Sequence, residues 1–148
     1  MSAPGDGVTR WTPLAAMLIL AANDHWGKAA APGWFTGKLS DFAGLLFFPL
    51  LLQAIWELGC AATGRYHGPD RRVLLVAAIS TGVVFSAINL FDEAGALYRW
   101  GLGTLQWPLR SIWAMQPTSL LPAGLTVDPT DLVALPILVV AVAIGWRR

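Results

Sequence analysis

Two long apolar stretches, Phe42 to Ala62 and Val73 to Phe91, constrain this chain more than any other feature. A helix needs about 20 predominantly apolar residues, within a range of roughly 17–25, to cross a bilayer's hydrocarbon core. Backbone N–H and C=O groups find no water there, so such a stretch must satisfy its own backbone by coiling into a helix. The first stretch is interrupted only by Gln53 and Glu57, and the polar, turn-rich segment 63–72 separates the two. The chain therefore reads as all-α: a polytopic membrane helix bundle of about four spans, in one transmembrane domain covering 1–148.

Two further spans complete that reading. Residues 13–30 make a first helix if Asn23, Asp24, His25 and Lys28 occupy its last turns. Residues 130–146 make a last one that carries Pro136. Arg10, the apolar run 14–22 and Asn23 have the outline of a signal peptide. The single basic residue before the run and the small residues after Asn23 favour a retained helix instead. Residues 1–10 read as a disordered tail.

The region 94–115 differs from the spans. Arg99, Arg110 and Pro108 exclude a simple crossing, yet Leu102, Leu105, Leu109 and Ile112 recur at helical spacing among Trp100, Trp107 and Trp113. It reads as a helix broken near Pro108 that lies at the interface, with a re-entrant hairpin as the alternative. Tryptophan favours that depth, where its ring is in apolar surroundings and its N–H meets water or headgroups.

Composition narrows function. Hydrophobic residues make up 55% of the chain and charged ones 13%, against about 25% charged in soluble domains. A net charge of +1 without a basic run excludes nucleic acid as a partner. The single cysteine, Cys60, excludes an intrachain disulfide and a cysteine-based zinc site. No metal or cofactor is expected.

With four spans, Arg10, Arg65, Arg71, Arg72, Arg147 and Arg148 fall on one side, and Lys28, Lys38, Arg99 and Arg110 on the other. That bias points to both termini in the cytoplasm of a bacterial inner membrane. Ala78, Gly82 and Ser86 recur every four residues. Small residues so spaced let helices approach closely, within the chain, against another copy or against a partner protein.

Alternating span direction gathers most remaining polar residues on the extracytoplasmic side. The candidate ligand-binding residues are Asp24, His25, Lys28, Lys38, Asp41, Asp92, Glu93, Arg99 and Asp131. Asp128 and Asp131 also suit a helix start, with Asp128 as N-cap and Pro129 at the first helical position. Ser40 and Asp41 can open the second span in the same way. Asp24, Asp92 and Glu93 read as lying at helix C-termini, where the macrodipole disfavours anions and another group must support them. Lys28 supports Asp24 at i, i+4 spacing, and Lys38 or Arg99 supports Asp92 and Glu93. Glu57 reads as a structural residue paired with Arg65 or Arg72.

The block Thr36-Gly37-Lys38-Leu39-Ser40-Asp41-Phe42-Ala43-Gly44-Leu45 stands between Asn23-Asp24-His25 and Asp128-Pro129-Thr130-Asp131-Leu132. In this pattern the chain resembles uncharacterised small bacterial multi-pass membrane proteins. It is faintly similar to VanZ-like membrane proteins, which place a Lys/Asp/His group early and an Asp-containing block before a late span. Neither resemblance carries a catalytic residue over.

Three functions follow. The first is a module binding a charged or amphipathic ligand, such as a lipid headgroup or envelope precursor, in an extracytoplasmic polar pocket. The second is an accessory or structural subunit of a membrane complex. The third is a membrane-embedded enzyme using Asp24, His25, Asp92 and Glu93, although HExxH, GxSxG and P-loop patterns are all missing from the sequence.

Overall fold

A computed structural model describes residues 3–147 other than Pro32 and Thr126, and of Lys28 the backbone alone. Among the described residues there are helices and turns and no strand. In chain order they are α1 (Trp11–Ala22), a π-helical turn (Asn23–Gly27), α2 (Lys28–Ala30), α3 (Trp34–Ala62), α4 (Arg71–Leu90), α5 (Asp92–Trp113), a 3-10 turn (Pro129–Ala134) and α6 (Ile137–Trp146). Among the described residues, three stretches are long and apolar enough to cross a membrane: Trp34–Ala62, Arg71–Leu90 and Pro129–Trp146. With 12 residues, α1 alone reaches about 18 Å and falls short of a crossing.

The chain divides into two compact units, Met1–Val83 with Val133–Arg148, and Val84–Leu132. In the first unit α3 packs against both α1 and α6. Small residues set the closeness of that packing. A Cβ on Gly145 of α6 would lie 2.7 Å from Leu74 and 3.0 Å from Leu50, two side chains that are fully buried. A Cβ on Gly82 would lie 2.9 Å from Leu138. Within the expected small-residue row, Ala78 is buried and Gly82 is therefore covered by this same chain, while Ser86 is half-buried.

Burial in this unit mixes an apolar core, Leu45, Leu50, Ala54 and Leu74 among it, with polar side chains that a water-soluble protein would usually leave outside. Lys38, Ser40, Gln53 and Glu57 of α3 are buried, while Phe48, Leu52, Ile55, Trp56 and Leu58 of the same helix are exposed. In water such a surface would be a docking or aggregation patch. Beside lipid it is an ordinary helix exterior, and the polar groups have turned inward to find partners.

Several elements depart from the sequence reading. The helix expected over 42–62 starts at Trp34, so Lys38, Ser40 and Asp41 lie inside α3 and do not precede it. Their turns are continuous with an apolar helix that packs on α1, and that packing carries the helix past the residues that could have opened it. The far end closes as the sequence leads one to expect. Gly64, at φ 71, follows the last turn, with Arg65 N–H on the Cys60 carbonyl at 2.8 Å and Gly64 N–H on Ala61 at 3.1 Å.

Residues 3–10 are not a disordered tail. They form turns in which the Gly5 N–H donates to Glu57 Oε2 at 2.9 Å. Pro136 sits at the junction between the 3-10 turn and α6, as N-cap of α6. It therefore removes no hydrogen bond from a helix interior.

In the second unit, α5 runs unbroken through Pro108. The expected break there does not occur, because a ring at position 108 costs one backbone bond while the turns on either side keep theirs. Asp92 and Glu93 occupy the first turn of α5. Phe91 is extended at φ −126 and ψ 120 and separates the two helices. The dipole argument for these two acids is thereby reversed: they lie at a helix N-terminus, where anions are favoured.

Candidate functional site

The polar cluster of the first unit is built by a distortion in the first helical stretch. Over Asn23–Gly27 the backbone takes a π turn, a single-turn widening common at functional sites. Such a turn moves backbone pairing from i+4 to i+5. His25 Nδ1 lies 2.9 Å from the Ala21 carbonyl. A carbonyl only accepts, so the proton is on Nδ1. In the neutral ring Nε2 is then a lone-pair acceptor, and His25 is exposed. A Cβ on Gly27, at the end of the turn, would fall 2.5 Å from Asn23 Oδ1, so a larger residue there would displace that amide from its place.

The turn rotates Asn23 inward, where it is buried. Its Nδ2 donates to the Thr36 carbonyl and to Ser40 Oγ at 2.7 Å. Ser40 Oγ in turn donates to Asp24 Oδ1 at 2.7 Å. The result is a directed relay, Asn23 to Ser40 to Asp24, that starts on a buried amide and ends on an exposed carboxylate. The Thr36 hydroxyl ties the start of α3 to the preceding turn through the Gly33 carbonyl at 3.0 Å. The N-terminal position expected for Ser40 is thus replaced by a bridging one, and the support expected for Asp24 comes in part from a hydroxyl. The side chain of Lys28, the other expected support, lies outside the described residues.

Lys38 is 4% exposed, and its ammonium lies 5.6 Å from the centre of the Trp34 ring, within range of a cation–π contact. Asp41 is half-buried. It follows Lys38 by three residues, the spacing of neighbours on one helix face.

Asp92, Glu93, Arg99 and Asp131 belong to the second unit. Asp92 and Glu93 are exposed. Arg99, offered above as their cation, has its Nε on the Ala123 carbonyl at 3.3 Å. Asp128 acts as the N-cap the sequence indicates, taking the Thr130 N–H on Oδ1 at 2.8 Å. Asp131 N–H donates to the Asp128 carbonyl at 2.9 Å. Buried Asn89 receives the Asp128 N–H on Oδ1 at 3.3 Å.

A second polar layer sits at the opposite end of α3. Glu57 is 2% exposed and accepts the Gly5 N–H on Oε2 at 2.9 Å, a partner that the sequence did not point to. Gln53, also buried, donates to the Asp70 carbonyl at 3.3 Å. Nearby, Arg71 lies 4.8 Å from the centre of the Trp146 ring. The sequence held a signal for the Gln53–Glu57 pair, two polar residues four apart in an otherwise apolar stretch, which places them on one helix face. For Asn23 the signal is weaker, a glycine four residues later.

Neither protein-family models, nor curated proteins, nor solved structures contain a match to this chain.

Proposed function

We propose that this chain is a four-crossing membrane protein, with both termini on the cytoplasmic side of a bacterial inner membrane. It binds a charged or amphipathic ligand at the cluster of Asn23, Asp24, His25, Lys38 and Ser40. The helical path from Trp11 to Ala30 supplies the remaining crossing; its 20 residues would span about 30 Å.

The observation that carries the reading is the Asn23–Ser40–Asp24 relay. Polar groups at membrane depth are costly and are functional candidates by default. A relay that only stabilised packing could end on a buried acceptor. This one reaches an exposed carboxylate beside an exposed histidine. Asp24 and His25 bring a carboxylate and an imidazole within reach of the amine or hydroxyl groups of a headgroup. Lys38, one turn from Trp34, brings positive charge to the same end of α3.

The test is native mass spectrometry of protein extracted in mild detergent. Wild type should carry a charged amphiphile, and Asp24→Asn and Ser40→Ala should lose it while accumulating normally in the membrane. Equal occupancy in all three overturns the reading. Topology is tested separately in a Cys60→Ala background, where F35C and R65C should label from opposite sides of the membrane. Labelling from one side removes the even number of crossings.

A further inference from the structure

We propose that α5 is a membrane-surface element whose Leu97, Leu105, Leu109 and Ile112 face inserts into the acyl-chain boundary of the bilayer that the chain itself crosses. This inference is independent of the ligand proposed above.

The two sides of α5 are treated differently within its own unit. Gly95, Arg99, Gly103, Trp107 and Ser111 recur every four residues and form one stripe. The segment 118–125, which holds no helix or strand, runs back along that stripe. Ala123 N–H donates to the Arg99 carbonyl at 2.8 Å, and Trp107 Nε1 donates to the Thr118 carbonyl at 2.6 Å. Ser111 Oγ and Thr118 Oγ1 lie 3.0 Å apart. Gly103 allows the closest approach, since a Cβ there would lie 2.2 Å from the Leu121 carbonyl oxygen. Gly95 and Gly103 of the stripe are buried and Ser111 is half-buried, while Arg99 and Trp107, though exposed, spend hydrogen bonds on the return segment.

The other side is bare. Leu97, Leu105, Leu109 and Ile112 are each more than two-thirds exposed. The lipid surface is the occupant for two reasons. First, α5 and its return segment are tethered between two membrane-length helices, with one residue separating Leu90 from Asp92 and the next such stretch beginning at Pro129. A 20-residue α4 is about 30 Å long, so a helix that follows it directly begins at the membrane boundary. Second, the charges of α5 are Asp92, Glu93, Arg99 and Arg110, which sum to zero. A bare apolar face with balanced charge inserts by apolar burial and needs no anionic headgroup.

The experiment uses the full chain in phosphatidylcholine vesicles, spin-labelled singly at L97C, L105C, L109C, I112C and S119C in a Cys60→Ala background. Collision with oxygen, which concentrates in lipid, is compared with collision with a water-soluble nickel chelate. The labels on the apolar face should favour oxygen several-fold, and the exposed Ser119 position on the return segment should favour nickel. Adding anionic lipid should change neither ratio. Nickel-dominated collision on the apolar face overturns the proposal in favour of a solvated helix. Exclusion of both reagents there overturns it in favour of a second copy or a partner protein. Four positions on separate turns keep the test decisive if one variant fails to incorporate.

Discussion

Helices α3 and α5 are both long, and both expose leucines, but they solve the polar problem in opposite ways. In α3 the polar side chains Ser40, Gln53 and Glu57 point into the unit and bond to other chain elements, the π turn after α1, the Asp70 carbonyl and the Gly5 amide. In α5 the buried residues are glycines, Gly95 and Gly103, and the polar stripe is met by the backbone of one adjacent segment. The first helix is stitched to several distant parts of the sequence, the second to its immediate successor. Stability should therefore be concentrated around α3, with α5 and its return segment forming a locally separable layer.

The largest effect that would sharpen this contrast is expected at Glu57. Replacing it with Ala removes the acceptor for the Gly5 N–H and leaves a cavity, at a cost of about 2–4 kcal/mol. Thermal melting in detergent should fall for the whole protein. Glu57→Gln keeps an acceptor oxygen and should lose less. If Glu57→Ala melts like wild type, the N-terminal turns add nothing to the unit and the contrast fails.

Next is Gly103→Ala. Its Cβ would collide with a backbone carbonyl, so the return segment must shift, at about 1–3 kcal/mol. The damage should stay local: faster protease cleavage within 116–125 with an unchanged melting temperature. A global drop in melting would show that α5 is as integral as α3.

Ser40→Ala should cost about 1 kcal/mol, because polar contacts between membrane helices average near 0.6 and reach about 1.7 kcal/mol. The companion Asn23→Ala should cost a similar amount, and the double variant should cost less than the sum if the relay acts as a unit. Additive losses in that cycle would reduce the relay to two separate bonds. Smallest of all is Leu52→Ala on the exposed side of α3, expected within about 0.5 kcal/mol of wild type, since that side chain stays exposed in the folded chain. A large loss there would mean that protein covers it.

Much of the architecture was legible in residue order. The two apolar stretches became α3 and α4, because span length is a local property fixed by bilayer thickness. Asp128 caps the helical turn it precedes, since an N-cap bonds within three residues of itself. Of the row Leu102, Leu105, Leu109 and Ile112, the last three are exposed on α5 and Leu102 is half-buried, since helical periodicity is likewise local.

The candidate site was legible only in part. Asn23, Asp24, Ser40 and Lys38 stood out as polar residues near span ends, but their roles did not. Ser40 suits a helix opener by its sequence, and its hydroxyl instead bridges Asn23 and Asp24 across 17 and 16 residues of chain. Asp92 and Glu93 looked like acids stranded at a C-terminus, because the sequence gives no warning that Phe91 turns extended and lets a new helix begin.

Composition, periodicity and capping chemistry act over a few residues, so the sequence by itself determined that the chain is helical, where its apolar helices run and how one of its turns starts. Which carboxylate meets which amide depends on what passes beside it after folding. The Glu57–Gly5 contact joins residues 52 apart. Such pairings were decided by tertiary structure alone, since a buried polar group takes whichever partner packing delivers.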